Sequence, residues 1–162
     1  MTVAIRVVGD DLPSLVPLMR EMHGSDRPRC VVIAVDLRGA ASRRDAKRRM
    51  HQALEDAMEG VNAAPAVRHV LLAIARGDQA RTWVDATASS ILTRTHAAVQ
   101  LRMARDIEFT SLDISECTNP ELLADRIVER GESMSQTHGV VVLDWADISS
   151  QSIAAAAREI FS

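Results

Sequence analysis

Five short apolar runs punctuate the chain: residues 3–8 (VAIRVV), 30–35 (CVVIAV), 67–73 (VRHVLLA), 107–112 (IEFTSL) and 140–143 (VVVL). Their length and β-branched content predict strands. Three of the five lack polar alternation, as expected when both faces of a parallel sheet are covered. Longer stretches with helical spacing separate them. Asp11 is placed to cap a helix with Pro13 in its first turn and Leu15, Leu18, Met19 and Met22 on one face. Ser42 with Asp45 forms a capping-box pattern ahead of Met50, Leu54, Ala57, Met58 and Val61, with charged residues on the opposite side. The longest helical segment covers 83–102, its apolar stripe running through Val84, Ala88, Ile91, Leu92, Ala98 and Val99. Asn119-Pro120 predicts a helix start, Leu123, Ile127 and Val128 its buried side, and Gly131 its stop. An alanine-rich helix over 151–161 closes the chain and is expected to bury Ile153, Ala157 and Ile160, with Ser149 and Ser150 as caps.

Strands alternating with helices imply crossover connections, almost always right-handed. The predicted fold is therefore α/β, a three-layer Rossmann-like sandwich with a mainly parallel sheet of about five strands. With 162 residues and no linker rich in Pro, Gly or Ser, the expectation is one domain over 1–162.

Composition narrows the function classes. The 19 basic and 22 acidic residues are interspersed, and aromatic side chains are scattered, so neither a phosphate-gripping field nor a base-stacking platform is present. Nucleic acid is not expected as a partner. Arg43-Arg44 and Lys47-Arg48-Arg49 read as a solvated helix face. No apolar run reaches membrane-spanning length and no leader pattern is present, so the expectation is a cytoplasmic chain without membrane contact. Cys30 and Cys117 read as reduced, core-type residues. His23, His51, His69, His96 and His138 lack metal-ligand spacing, and no metal site is expected.

Ligands of open α/β sheets bind beyond the carboxyl ends of the strands, near a reversal of strand order. The residues predicted there are Gly9-Asp10-Asp11, Asp36, Arg76-Gly77-Asp78, Asp113 and Asp144 to Asp147. The first turn reads GDDLPSL, with one glycine and two carboxylates where a pyrophosphate needs glycines and an uncharged helix start. Acidic pairs after a first strand also occur in phospho-acceptor receiver domains. These need a lysine after the last strand, and the chain's single lysine is Lys47. No serine sits in a G-x-S-x-G elbow.

The C-terminal third, DIEFTSLDIS, TNPELLADRIVERGES and THGVVVLDWADIS, resembles the short-chain dehydrogenase/reductase family. That family ends in a similar strand, a helix started by Pro-Glu, and a closing strand T-G-Q-V-x-x-V-D-G-G. Thr137, Gly139, Val140 and Asp144 fit the closing pattern with a one-residue shift, and Trp145-Ala146 replace the final Gly-Gly. Upstream, VVIAVDLRGAASRRD and VRHVLLAIARG are similar to the family's strands ending D-L-x-D and N-N-A-G, and 83–102 to the long helix that packs on a neighbouring subunit.

The resemblance implies catalysis by a tyrosine and a lysine four residues on, yet the chain has no tyrosine and Lys47 has no such partner. The chain is also shorter than the family by roughly two βα units. These departures imply a non-catalytic, truncated subunit without a catalytic site or a cofactor of its own. It would assemble with a catalytic NAD(P)-dependent dehydrogenase, or with itself as an oligomer. The interface candidates are Trp83, Ile91, Ala98, Val140, Val142 and Trp145, within 83–102 and 137–150. The alternative is a stand-alone module binding a nucleotide or acyl-CoA, with Asp36 on a ribose hydroxyl and Gly77 lining the cleft. A further alternative is an atypical oxidoreductase or other enzyme using Asp113, Asp144 or Asp147 as base.

Overall fold

The β-branched runs pair as parallel strands: β1 (Ile5–Gly9), β2 (Cys30–Asp36), β3 (His69–Ala75), β4 (Glu108–Asp113) and β5 (Val140–Asp144). The computed structural model describes residues 4–21, 27–134 and 139–162. Met22, His23, Thr137 and His138, named above, lie outside the described residues. The sheet has the order β1-β2-β3-β4-β5, so every strand pairs with its neighbour in sequence.

A 3-10 turn, Pro13–Leu15, leads into α1 (Val16–Glu21). Then follow α2 (Arg43–Asn62), α3 (Arg81–Met103), α4 (Pro120–Glu132), α5 (Trp145–Ser149) and α6 (Ile153–Ile160). Leu15 and Leu18 of the first connection share one core with Cys30, Val32, Leu71, Leu112 and the buried sides of α4, α5 and α6. On the other face, Val31, Ile33, Leu72 and Phe109 pack under α2 and α3. Alternate residues of β2 thus serve two cores, as the period of two in a strand requires when both sheet faces are covered. The chain is an α/β protein with a five-stranded parallel sheet between two helical layers.

The strand order advances in one direction throughout, while the crossovers use both faces. Crossovers over opposite faces then have opposite hands: α1 and α4 on the front are of one hand, α2 and α3 on the back of the other. One of the two sets therefore departs from the usual right-handed connection.

Several element ends differ from the sequence pattern for local reasons. β3 begins two residues late because the Val67 amide donates to the Ala64 carbonyl in a turn. Leu12, not Asp11, stands at the start of the first helical turn, and no side chain caps it. Met19, placed on the apolar face by its spacing, is 45% exposed. Gly131 does not end its helix: it is buried in the last turn of α4, which stops at Ser133. Ser152, not Ser149 or Ser150, caps α6; Ile153 and Ala157 are buried as expected, but Ile160, in the last turn, is 53% exposed. In α2 the capping box is offset by one residue: Ser42 Oγ accepts from the Asp45 amide, while the Asp45 carboxylate accepts from Ala41.

Candidate functional site

At the carboxyl edge, the connections after β1 and β4 turn to the front and those after β2 and β3 to the back. Crevices therefore open between β1 and β2 and between β3 and β4. Divergence of neighbouring connections, the geometry that makes ligand clefts in open α/β sheets, is present without any reversal of strand order. A cleft of about 410 Å³ lies here, lined by Ser14, Arg38, Arg76, Gly77, Ser115 and Glu116.

The groups around it are committed to one another. Asp36 receives Nε and a terminal nitrogen of Arg38 at 2.9 and 2.8 Å, and the Arg38 amide as well. These hydrogen bonds hold its carboxyl below the ordinary value of 3.8. A ribose hydroxyl would have to displace a bidentate guanidinium. Asp10 accepts from the Asp36 amide, tying the end of β1 to β2. Asp113, 4% exposed, takes Arg76 Nε at 2.6 Å and the Ser115 amide at 2.9 Å. Ser115 Oγ accepts in turn from the Arg76 amide. Asp144 pairs with Arg81 and forms a reciprocal capping box with Asp147, each carboxylate accepting the other's amide at 2.9 Å. Arg76, Arg81, Asp113 and Asp144 with Trp145 enclose almost no free space.

The glycines of this edge are also accounted for within the chain. Gly9 (φ +96°) lies against the Ala34 backbone, leaving no room for a side chain. A Cβ on Gly77 (φ +58°) would sit 2.6 Å from Arg38 Cα. Gly77 lines the cleft as expected, but its bare backbone faces the β2 loop rather than an open phosphate seat. A further concavity of about 480 Å³ runs along β1 beside α2, from Arg6 to Gly9 and Asp10 at this edge. Its side chains Gln52 and Asp56 bond each other.

Sequence reasoning missed Arg81 and Asp85. α3 starts two residues earlier than the predicted segment 83–102, so Arg81 at its first position pairs with Asp144 and, at 3.7 Å, with Asp85 one turn on. Their i, i+4 spacing was the available signal. Burial raises the carboxyl of Asp85 above the ordinary value, against the pull of Arg81.

The interface candidates separate into two groups. Ile91 (4% exposed) and Trp145 (8%) lie inside the chain's own cores. Trp145 covers the end of the front core from the first turn of α5. Trp83 is half-buried with the Arg43 guanidinium, itself exposed, 5.5 Å from its ring centre. Ala98 is half-buried and lines a groove between α2 and α3. Val140 and Val142 are half-buried on β5, the last strand of the sheet.

Among the described residues no cluster of three or more His, Cys, Asp or Glu side chains could hold a metal ion, and no helix is long and apolar enough to cross a membrane. Comparison of the chain with protein-family models, curated proteins and solved structures returns no match.

Proposed function

We propose that the chain is a non-catalytic assembly subunit. The observation that carries this reading is the mutual neutralisation of the carboxyl edge: Asp36, Asp113 and Asp144 are each held by an arginine. A general base must be free to accept a substrate proton, and a carboxylate already bonded to a guanidinium is a weak acceptor for one. The edge strand favours assembly. β5 reads VVVLD, with neither lysine nor proline to deter pairing, and it has no strand on its outer side among the described residues. The partner indicated by the family resemblance is a catalytic NAD(P)-dependent dehydrogenase, which this chain would stabilise.

Two measurements test the reading. Melting of the purified chain should be unchanged by NAD(H) or NADP(H), and the chain should co-purify with a full-length dehydrogenase encoded beside it when the two are co-expressed. A saturable cofactor-induced shift would overturn it in favour of a stand-alone nucleotide module using the cleft around Gly77. Failure to capture the dehydrogenase would remove that partner.

A further inference from the structure

Two unpartnered surfaces of this fold complement each other. The first is a groove of about 300 Å³ between α2 and α3, with Met58, Ala98, Val99 and Met103 along its apolar part and Arg94 and Arg102 beside them. Met103 is 38% exposed, and Leu101, three residues beyond Ala98 on the same flank, is 87% exposed. Arg38, Arg48, Arg76, Arg81, Arg126 and Arg130 all have carboxylate partners. Arg94 and Arg102 have none among the described residues.

The second surface is the end of α6. Ala156 and Ala157 are buried, but Ile160 and Phe161 are 53% and 55% exposed. Glu159 beside them is exposed, and one of its carboxylate oxygens accepts from Gln151, the other having no hydrogen bond among the described residues.

We propose that the α2–α3 groove receives residues 159–161 of a second copy of this chain. Thioethers are polarizable and unbranched, so Met58 and Met103 can close around an aromatic ring, and sulfur–aromatic contact adds to the burial. Ala98 leaves the room that a larger residue would fill. Arg94 and Arg102 offer charge-assisted hydrogen bonds to the Glu159 carboxylate. Groove and tail lie on opposite faces of the sheet, so each contact joins unlike surfaces. It repeats into a ring or open chain, or occurs twice across a two-fold axis. The contact uses neither β5 nor the carboxyl edge, and of the interface candidates named for a dehydrogenase it shares only Ala98.

Sedimentation velocity of the intact chain, from low micromolar to several hundred micromolar, tests it. Concentration-dependent association is expected. Phe161→Ala should weaken it about thirtyfold, as for an aromatic anchor at an interface centre. Ala98→Trp should block the groove. Glu159→Arg should weaken association, and mixing that variant with one carrying Arg94→Glu and Arg102→Glu should restore it. Phe161 and Glu159 are exposed, so their variants should melt as the parent does. A monomer at every concentration overturns the proposal, and so does unchanged association of Phe161→Ala. Loss of dehydrogenase capture by Phe161→Ala, with self-association intact, would assign the tail to the other partner and also overturn it.

Discussion

Asp85 stands near the cleft, half-buried, with Arg81 on one side and the charges of Asp113 and Asp147 within reach. Burial is the largest influence on its titration and raises it, as the two carboxylates also do. A raised native value means that the folded state holds the proton more tightly than the unfolded one. The stabilising contribution is present below the ordinary value of 3.8 and is lost as pH rises through the native value. Asp85→Asn should therefore raise the melting temperature at neutral pH and leave it unchanged at about pH 3, where the native carboxyl is already protonated. Thermal melts at the two pH values check this. A lower melting temperature at neutral pH would mean that the pair with Arg81 outweighs desolvation. Asp36 behaves in the opposite sense: the Arg38 hydrogen bonds lower its titration, so its contribution is present above 3.8 and lost as pH falls through the native value. Asp36 ends β2 and Asp85 lies in the second turn of α3; hydrogen bonds from Arg38 on the first and burial of the second set the opposite shifts. Position after a strand marked Asp36, Asp113 and Asp144 as candidates and passed over Asp85. Whether a given aspartate is free depends on arginines such as Arg76, Arg81 and Arg38, whose reach is set by tertiary geometry.

The start of the strands contrasts with their ends. Register places Cys30, His69 and Glu108 side by side on β2, β3 and β4, and all three are at most 1% exposed. Arg130 of α4 donates to Glu108 at 2.6 Å from a position only 3% exposed. His69 Nε2 donates to the Ser133 carbonyl at 3.0 Å, while its Nδ1 stands 3.5 Å from Glu108 without a hydrogen bond. Burial pushes the Cys30 thiol up to about 12, so it is an inert packing group. Burial also lowers Arg130, with Glu108 acting against that shift. This cluster joins α4 to the middle of the sheet. Arg130→Met or Glu108→Gln alone should cost about 3–5 kcal/mol, because each leaves or weakens a buried charge without its counter-ion. The double replacement should recover much of that loss, as urea denaturation of the three variants would show. The helices and strands themselves were legible because periodicity reports burial: of the α3 stripe, Val84, Ala88, Ile91, Leu92 and Val99 are buried and Ala98 is half-buried. α5 was not legible. VVVLDWADIS reads as one strand running into a polar edge, yet Asp144 ends the strand and caps a five-residue helix through a bond that requires Asp147 three residues later.

Across the whole molecule, the sheet has three inner strands and two edges. Strands β2, β3 and β4 are hydrogen-bonded on both sides and nearly all their residues are buried, whereas β1 and β5 each pair on one side. Native-state hydrogen exchange should therefore find the slowest amides in β2, β3 and β4, opening only with global unfolding, and faster local exchange in β1 and β5. Equal protection of β5 and β3 in the isolated chain would mean that an edge is covered in solution. The α/β class followed from alternation of apolar runs with helical spacing. The order of strands did not, because the hydrophobic pattern records that a strand is covered on both faces and says nothing about which strand lies beside it.

Sequential pairing has a consequence for how the molecule is made. Each strand lies beside the one synthesised just before it, so no contact in the sheet waits for a distant part of the chain. Loop closure is kept as short as parallel pairing allows, which favours rapid folding. A nascent chain can add one βα unit at a time as it leaves the ribosome, with the newest strand always the growing edge. On this route β5 is the last edge to form, and like β1 it is paired on one side only when the sheet is complete.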